Sequence, residues 1–314
     1  MFKRSHNRAV LRIRIETVTP LLIRAGDAGL TPTAADLCCV RTHHAQHGTT
    51  VYIPGSSLKG VLRSAAEASI RGRTFHGLNG ACDPLDHDKS CGKDPQKKMG
   101  SHRDPLPSHV VHQQQCLACR VFGSLRMKGR TGVRDLFPWS DTSGLEARFQ
   151  PSGENHLRAN RIEARNGVAI DRVTGSVKHG PFDQELVPAG ICFFGDIALE
   201  NYQAWQLGLL AQSFDEVNNG FAQLGSSKSR GLGVAKLTVD SLLHEQAAVN
   251  KTTPVGVGML ADPQECKDYS LLPDVALANC TGVVHGLSRR FVVREEDAVR
   301  SWLETGLSAL GSLQ

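Results

Sequence analysis

Aromatic residues are scarce in this 314-residue sequence: three Trp, three Tyr and eleven Phe, 5% of the chain. No Lys/Arg-Gly-Phe signature marks a strand built to stack bases. A nucleic-acid partner would therefore be held mainly through backbone and shape. Long apolar runs are missing as well. No stretch approaches the ~18 residues that span a bilayer. Met1 to Glu16 alternates charge with Val and Ile, where an export signal would be continuously apolar. These absences predict a cytoplasmic protein with no membrane partner. G-x-S-x-G and H-E-x-x-H do not occur, which leaves hydrolase triads and zinc proteases unsupported.

What is present is ordinary in bulk: 40% hydrophobic and 21% charged residues, the balance of a folded chain. The length suits one large domain or two ordinary ones, with a core that needs no disulfide staples. Net charge is +5 and unevenly placed. Residues 1–63 carry nine Lys/Arg against three acids, and residues 241–314 carry six against nine. The early excess suggests one electropositive face. Nine cysteines is an odd number, and in a reducing compartment clustered cysteines are better read as metal ligands than as disulfides.

Periodicity then organises the chain. Leu11, Ile13 and Ile15 alternate with Arg12, Arg14 and Glu16, a half-buried strand with a charged outer face. Val51 to Ile53 ends in Pro54-Gly55. Ser56 or Ser57 can then cap a helix with Leu58, Val61, Leu62 and Ala65 on one face, fading near Gly72. Residues 74–135 show no sustained period, and a loop this long needs something else to order it. Residues 168–190 read as a hairpin arm. Ile191, Phe193, Ile197 and Leu199 share a strand face, Leu207, Leu210, Phe214 and Val217 mark a second helix, and Ala235, Leu237 and Val239 a last strand. Strand, helix, insertion, strands, helix, strand is the order of an α+β, ferredoxin-like βαββαβ unit. We therefore expect a palm over residues 8–240, with 74–135 as an inserted segment and 168–190 as the arm. Residues 241–314 form a C-terminal extension, helical from Glu295 to Leu310.

Four features carry chemistry. The loop from Gly225 to Gly233 sets Ser226, Ser227, Lys228, Ser229 and Arg230 between three glycines, either a phosphate cradle or a solvated turn. Lys59 and Arg63 lie four apart on the helix after Pro54, either an anion-binding helix start or two surface cations; Walker A spacing is absent. Cys82, Cys91, Cys116 and Cys119 fall in the aperiodic insertion, with Cys-x-x-Cys at its end. A structural Zn²⁺ would explain its order, the alternative being free thiols. His76, His87, His102, His109 and His112 are possible substitutes for a cysteine. Asp27 and Asp36 follow the first strand in small-residue loops. Either can bind a divalent ion or move a proton at a phosphodiester, and either can simply cap a turn.

Taken in order, Tyr52–Gly60, Cys116–Ser124, Ala169–Gly175 and Gly225–Gly233 resemble the RAMP superfamily. The likeness is specifically to the Cas-seven-type (Csm-like) backbone subunit of type III CRISPR effector complexes, over roughly residues 10–240. The resemblance implies a modified-RRM palm whose copies stack head to tail along a guide crRNA with other effector subunits. It implies that the helix carrying Lys59 and Arg63 faces the guide, and that the 169–187 arm is a thumb wedged between guide and target RNA. Arg12, Arg14, Ser56, Ser57, Arg120, Arg172, Ser227, Lys228, Ser229 and Arg230 complete the expected RNA contacts. In cleaving members an aspartate after the first strand supports Mg²⁺- or Mn²⁺-dependent cutting of target RNA by its own 2′-hydroxyl. Asp36 falls at that place, with Asp27 as second candidate. The family's loop often reads Gly-Gly-x-Asp, whereas Asp36 follows Thr33-Ala34-Ala35. The type IV backbone subunit is a close relative without target cutting.

Overall fold

The computed structural model describes residues 3–26, 35–86, 88–93, 106–139 and 153–314. In chain order they form β1 (Asn7–Thr17), β2 (Arg41–His44), β3 (Gly48–Val51), α1 (Gly55–Arg71), α2 (Ser108–Gln113), α3 (Leu117–Phe122), β4 (Gly123–Ser124), β5 (Met127–Lys128) and β6 (Thr131–Val133). There follow α4 (Gly153–Ala159), β7 (Glu163–Ile170), β8 (Val177–Leu186), β9 (Cys192–Glu200), α5 (Ala204–Asn218), β10 (Ala235–Gln246), α6 (Pro263–Asp268), β11 (Val283–His285), β12 (Ser288–Val293) and α7 (Glu296–Gly311).

Alternation in β1 sets the frame. Ala9, Leu11, Ile13 and Ile15 are buried, and Arg8, Arg12 and Arg14 point to the opposite face. Each fully buried Leu or Ile contributes about 1.5–3 kcal/mol, so a one-residue slip that turned this row to solvent would be prohibitive. β1 lies between β10 and β9, antiparallel to both. The six-stranded sheet runs β11-β12-β10-β1-β9-β6. α1 connects β1 to β6 by way of the insertion, and α5 connects β9 to β10.

α5 packs between α1 and α7. Its start is held by a capping box between Gln203 and Gln206, and Glu296 and Asp297 sit in the first turn of α7. β10 runs through the 240/241 boundary expected for the extension. β12 then pairs with it, and α7 lies against α5, so residues 241–314 complete both layers. Under α7, His244 is fully buried, and burial pushes its pKa down to about 4. Its Nδ1 pairs with the Tyr202 hydroxyl at 2.8 Å, and its ring packs against Phe291 and Trp302.

The arm is a hairpin of β7 and β8 that starts at Glu163, five residues before the sequence pattern places it. Val168, Ile170, Val173 and Val177 are exposed along it.

Candidate metal centre and nucleic-acid interface

The four cysteines of the insertion converge. All are buried, and their sulfurs lie within 4.8 Å of one another. Cys82 Sγ and Cys119 Sγ are 3.8 Å apart. Four thiolates ~2.3 Å from zinc define a tetrahedron with an edge of about 3.8 Å. The donors fit a thiophilic tetrahedral ion, so the cluster can hold a structural zinc, with four protein ligands and no place for a catalytic water.

Local folding explains the convergence. Cys116 is the N-cap of α3, and the amide of Cys119 donates to its sulfur at 3.4 Å. The Cys116 amide donates to Cys91 Sγ at 3.2 Å. The first amides of α3, those of Leu117 and Ala118, bind the carbonyls of Asn79 and Gly80, which brings Cys82 alongside. Hydrogen bonds from the Cys119 and Cys91 thiols favour the thiolate at Cys116. Arg63 closes the arrangement. Its guanidinium bonds Glu67 at 2.7 Å, the Gly123 carbonyl at 3.1 Å and Cys119 Sγ at 3.5 Å. A tetrathiolate zinc site carries net negative charge, and donors around it offset that charge. His76, His109 and His112 lie outside the cluster. His112 is buried, bonds the Tyr269 carbonyl, and is pushed by that burial to a pKa of about 3. His87 and His102 lie outside the described residues.

Beside the cluster is a groove of about 490 Å³. Lys59, Arg63 and Lys128 line it together with Cys82, Cys91 and Cys119, and no carboxylate does so among the described residues. Lys59 donates to the Thr131 carbonyl at 2.8 Å. Burial lowers its pKa, and the charges of Arg63 and Lys128 lower it further. An anion bound in the groove would relieve that crowding of like charge. Nothing in the sequence marks Lys128, one of five lysines in the aperiodic segment 74–135.

The remaining cations do not join this groove. On α1, Val61, Ala65 and Ala68 face away from Lys59 and Arg63, and with Lys228 they line a different cavity of about 520 Å³. Lys228, Ser229 and Arg230 are exposed on a short 3₁₀ turn, and Ser227 is half-buried at its start. Two of the three glycines of that loop, Gly225 and Gly233, serve packing. A Cβ on Gly225 would lie 2.2 Å from the Leu22 carbonyl oxygen, and one on Gly233 would lie 1.9 Å from that of Leu224. Both also hold positive φ. Ser56 is exposed and Ser57 half-buried, but neither caps α1. Its N-cap is Pro54, and Asp135 Oδ1 takes the Gly55 amide at 2.8 Å. A carboxylate thus stands at the helix start where the sequence suggested an anion site.

On the outer face of the sheet, Arg12 pairs with Asp196, and Arg14 with Asp240 and Glu16. Arg120 is buried and donates to the carbonyls of Gln113, Gln115 and Ser270, which ties α3 to the end of α2. A side chain committed in this way is not exposed to RNA. Arg172 is exposed in the arm's turn, beside an Asp171 side chain that accepts from the amides of Val173 and Thr174. Asp36 is exposed at the arm's base, where its carboxylate accepts the Asp183 amide of β8 at 3.0 Å. Asp27 lies outside the described residues.

An antiparallel sheet with a helical layer, a projecting hairpin and a thiol-walled cation groove defines a mixed α/β protein equipped to hold an anion. The chain belongs to the RAMP superfamily, whose family model matches residues 14–236. Among solved structures it is similar to a chain from "Type IV-B CRISPR Complex", with a TM-score of 0.46 and 20% identity, covering 74% of this chain and 89% of that one. No curated protein matches it. Among the described residues no helix is long and apolar enough to cross a membrane.

Proposed function

We propose that this chain is a guide-RNA-binding backbone subunit of a cytoplasmic type III CRISPR effector complex. Further copies of itself and other effector subunits assemble with it along a crRNA, and complementary target RNA pairs against that guide. The observation that carries this reading is the groove of Lys59, Arg63 and Lys128 in a RAMP-family chain, three cations whose paired acids, Glu67 on Arg63 and Glu200 on Lys128, lie outside the groove lining. The sheet order β10-β1-β9-β6, with connections through α1 and α5, supports a ferredoxin-like palm over residues 8–240. The β7–β8 hairpin is its thumb, and the cysteine cluster holds zinc in the 74–135 insertion.

The groove has a direct test. Replacing Lys59 or Lys128 by Gln should weaken single-stranded RNA binding and reduce the log–log salt slope by about 0.7 for each lost phosphate contact. Lys228→Gln tests the second cavity in the same titration. An unchanged slope in all three variants removes these contacts.

For cleavage, Asp36 offers a carboxylate at the base of the arm. A bound Mg²⁺ or Mn²⁺ would neutralise charge developing on the phosphodiester. Among the described residues only the four cysteines form a ready-made metal cluster. Asp36 would then act with RNA phosphates and water completing the coordination, as is usual for Mg²⁺. Asp36→Ala should slow target cutting by about 10²–10⁴-fold in the assembled complex, with Asp27→Ala measured beside it. Unchanged cutting in both variants selects the second reading, a non-catalytic guide scaffold with cutting done by another subunit, and no cutting by the wild-type complex selects a scaffold of the type IV kind. The use of the Asp36 carboxylate as an acceptor for the arm's backbone favours that reading.

A further inference from the structure

A cleft on the outer face of the sheet has no part in the groove or the metal site. It measures about 130 Å³ and lies between Phe137, Trp139 and Phe194. All three rings are half-buried. Its rim carries Arg12, Arg134, Asp135 and Asp196. Trp139 is braced by surrounding rings: Phe137 stacks on it at 5.0 Å, His47 lies at 4.3 Å, and His44 and His156 present edges at 4.9 and 5.2 Å. Such packing fixes the indole without covering it.

We propose that this cleft takes a single unpaired nucleobase of a bound RNA strand. The proposal rests on the reading that the chain binds RNA, and it adds a base-binding site to it. Size is the first argument. A cavity of about 150 Å³ holds one benzene ring, so this cleft admits one flat ring system and nothing drug-sized. Its walls are the second: aromatic faces stack a planar ring of any sequence. The rim decides the ligand class. Two guanidiniums against two carboxylates leave the rim charge-balanced, so nothing there selects a phosphate, and a purely apolar ligand has no use for guanidinium and carboxylate groups together. A nucleobase edge carries both acceptors and donors, which Arg and Asp match respectively. The Arg12 and Arg134 guanidiniums share Asp196 at 3.4 and 2.9 Å, so the rim is preformed. This places one stacked base on a protein whose low aromatic content predicts backbone contacts alone.

Trp139 is also a reporter. Trp205 and Trp302 are 1% and 0% exposed, so quencher-accessible emission comes from Trp139. The 314-residue chain is titrated with a single-stranded RNA and with the same oligonucleotide carrying abasic residues. We expect saturable quenching by the first only. Trp139→Ala should weaken binding of base-bearing RNA by about 5- to 100-fold, leave abasic RNA unchanged, and be largely rescued by Trp139→Phe. Equal quenching by both RNAs, or equal affinities of wild type and Trp139→Ala, overturns the cleft. If the wild-type chain binds neither RNA, the proposed function itself fails, a result distinct from RNA binding without quenching.

Discussion

Exchanging Cys119 for Ser is expected to abolish zinc binding at the cysteine cluster and to dismantle the cation groove beside it while the sheet stays folded. A structural tetrathiolate zinc site is worth about 10–16 kcal/mol of apparent binding free energy, as much as the whole stability of an ordinary domain, about 5–15 kcal/mol. Its loss would unfold everything if every element hung on it. The core argues otherwise. Leu11, Ile13 and Ile15 of β1, Phe193 and Ile197 of β9, and Leu207 and Leu210 of α5 are each fully buried, in one core that includes the insertion but most of whose members lie outside it. What does hang on the cluster is local: Cys82 and Cys91, α3 with its N-cap Cys116, and the Arg63 contact with Cys119 Sγ. Cys82, Cys91 and Cys119 also line the groove shared with Lys59 and Lys128. Hydrogen exchange should therefore show protection lost over residues 79–93 and 116–128 and kept in β1, β9 and β10. RNA affinity should fall together with metal content. A wild-type protein with no thiophilic metal by elemental analysis, or a Cys119→Ser protein with full protection across the insertion, would overturn the site.

The cluster was legible in the sequence because four cysteines in a segment without period leave few other ways to order it. β1, α1 and α5 were legible for the opposite reason: their apolar residues recur at 2.0 or 3.6 positions, and in β1 and α1 the face so defined is the buried one, while α5, packed between α1 and α7, is buried on nearly every side. The failures share a cause. Arg120 follows Cys-x-x-Cys and reads as a surface cation, but its guanidinium is enclosed by carbonyls at 113, 115 and 270. Asp135, eighty positions from Gly55, caps α1 in place of the adjacent serines. The basic bias of the early chain was read as one face. On the fold Arg12 and Arg14 meet acids of β9 and β10, and Lys59 and Lys228 lie on opposite sides of a helix. The aromatic cleft draws on residues 137–139 and on Phe194, so no local window contains it. Local pattern specifies which face is buried; which distant side chains meet on a surface is set by strand order.

A second large stability loss is expected at Gly208→Ala. An alanine in a helix interior normally gains about 1 kcal/mol over glycine, and at Gly60, where an added Cβ meets nothing within 4 Å, that gain should appear. Gly208 differs. Its Cβ would lie 2.0 Å from the carbonyl oxygen of Gly306 and 2.4 Å from its carbonyl carbon. From the other side, a Cβ on Gly306 would lie 2.8 Å from the Gly208 nitrogen. α5 and α7 thus touch backbone to backbone, and no rotamer change can relieve the clash. Overpacking of this kind costs typically 1–3 kcal/mol and occasionally more. The methyl group must also push α7 outward, which uncovers Val299, Trp302 and Leu310, all buried in the native fold. We expect a lower melting temperature together with red-shifted Trp302 emission, against a Gly60→Ala control that melts no lower than wild type. The two readouts should move as one transition, because α7 is continuous with β12, and β12 is paired to β10 at the centre of the sheet's extended half. If Trp302 shifts in a separate, earlier step while the rest of the sheet melts as before, residues 241–314 fold as an appendage. A single coupled transition makes them part of the palm.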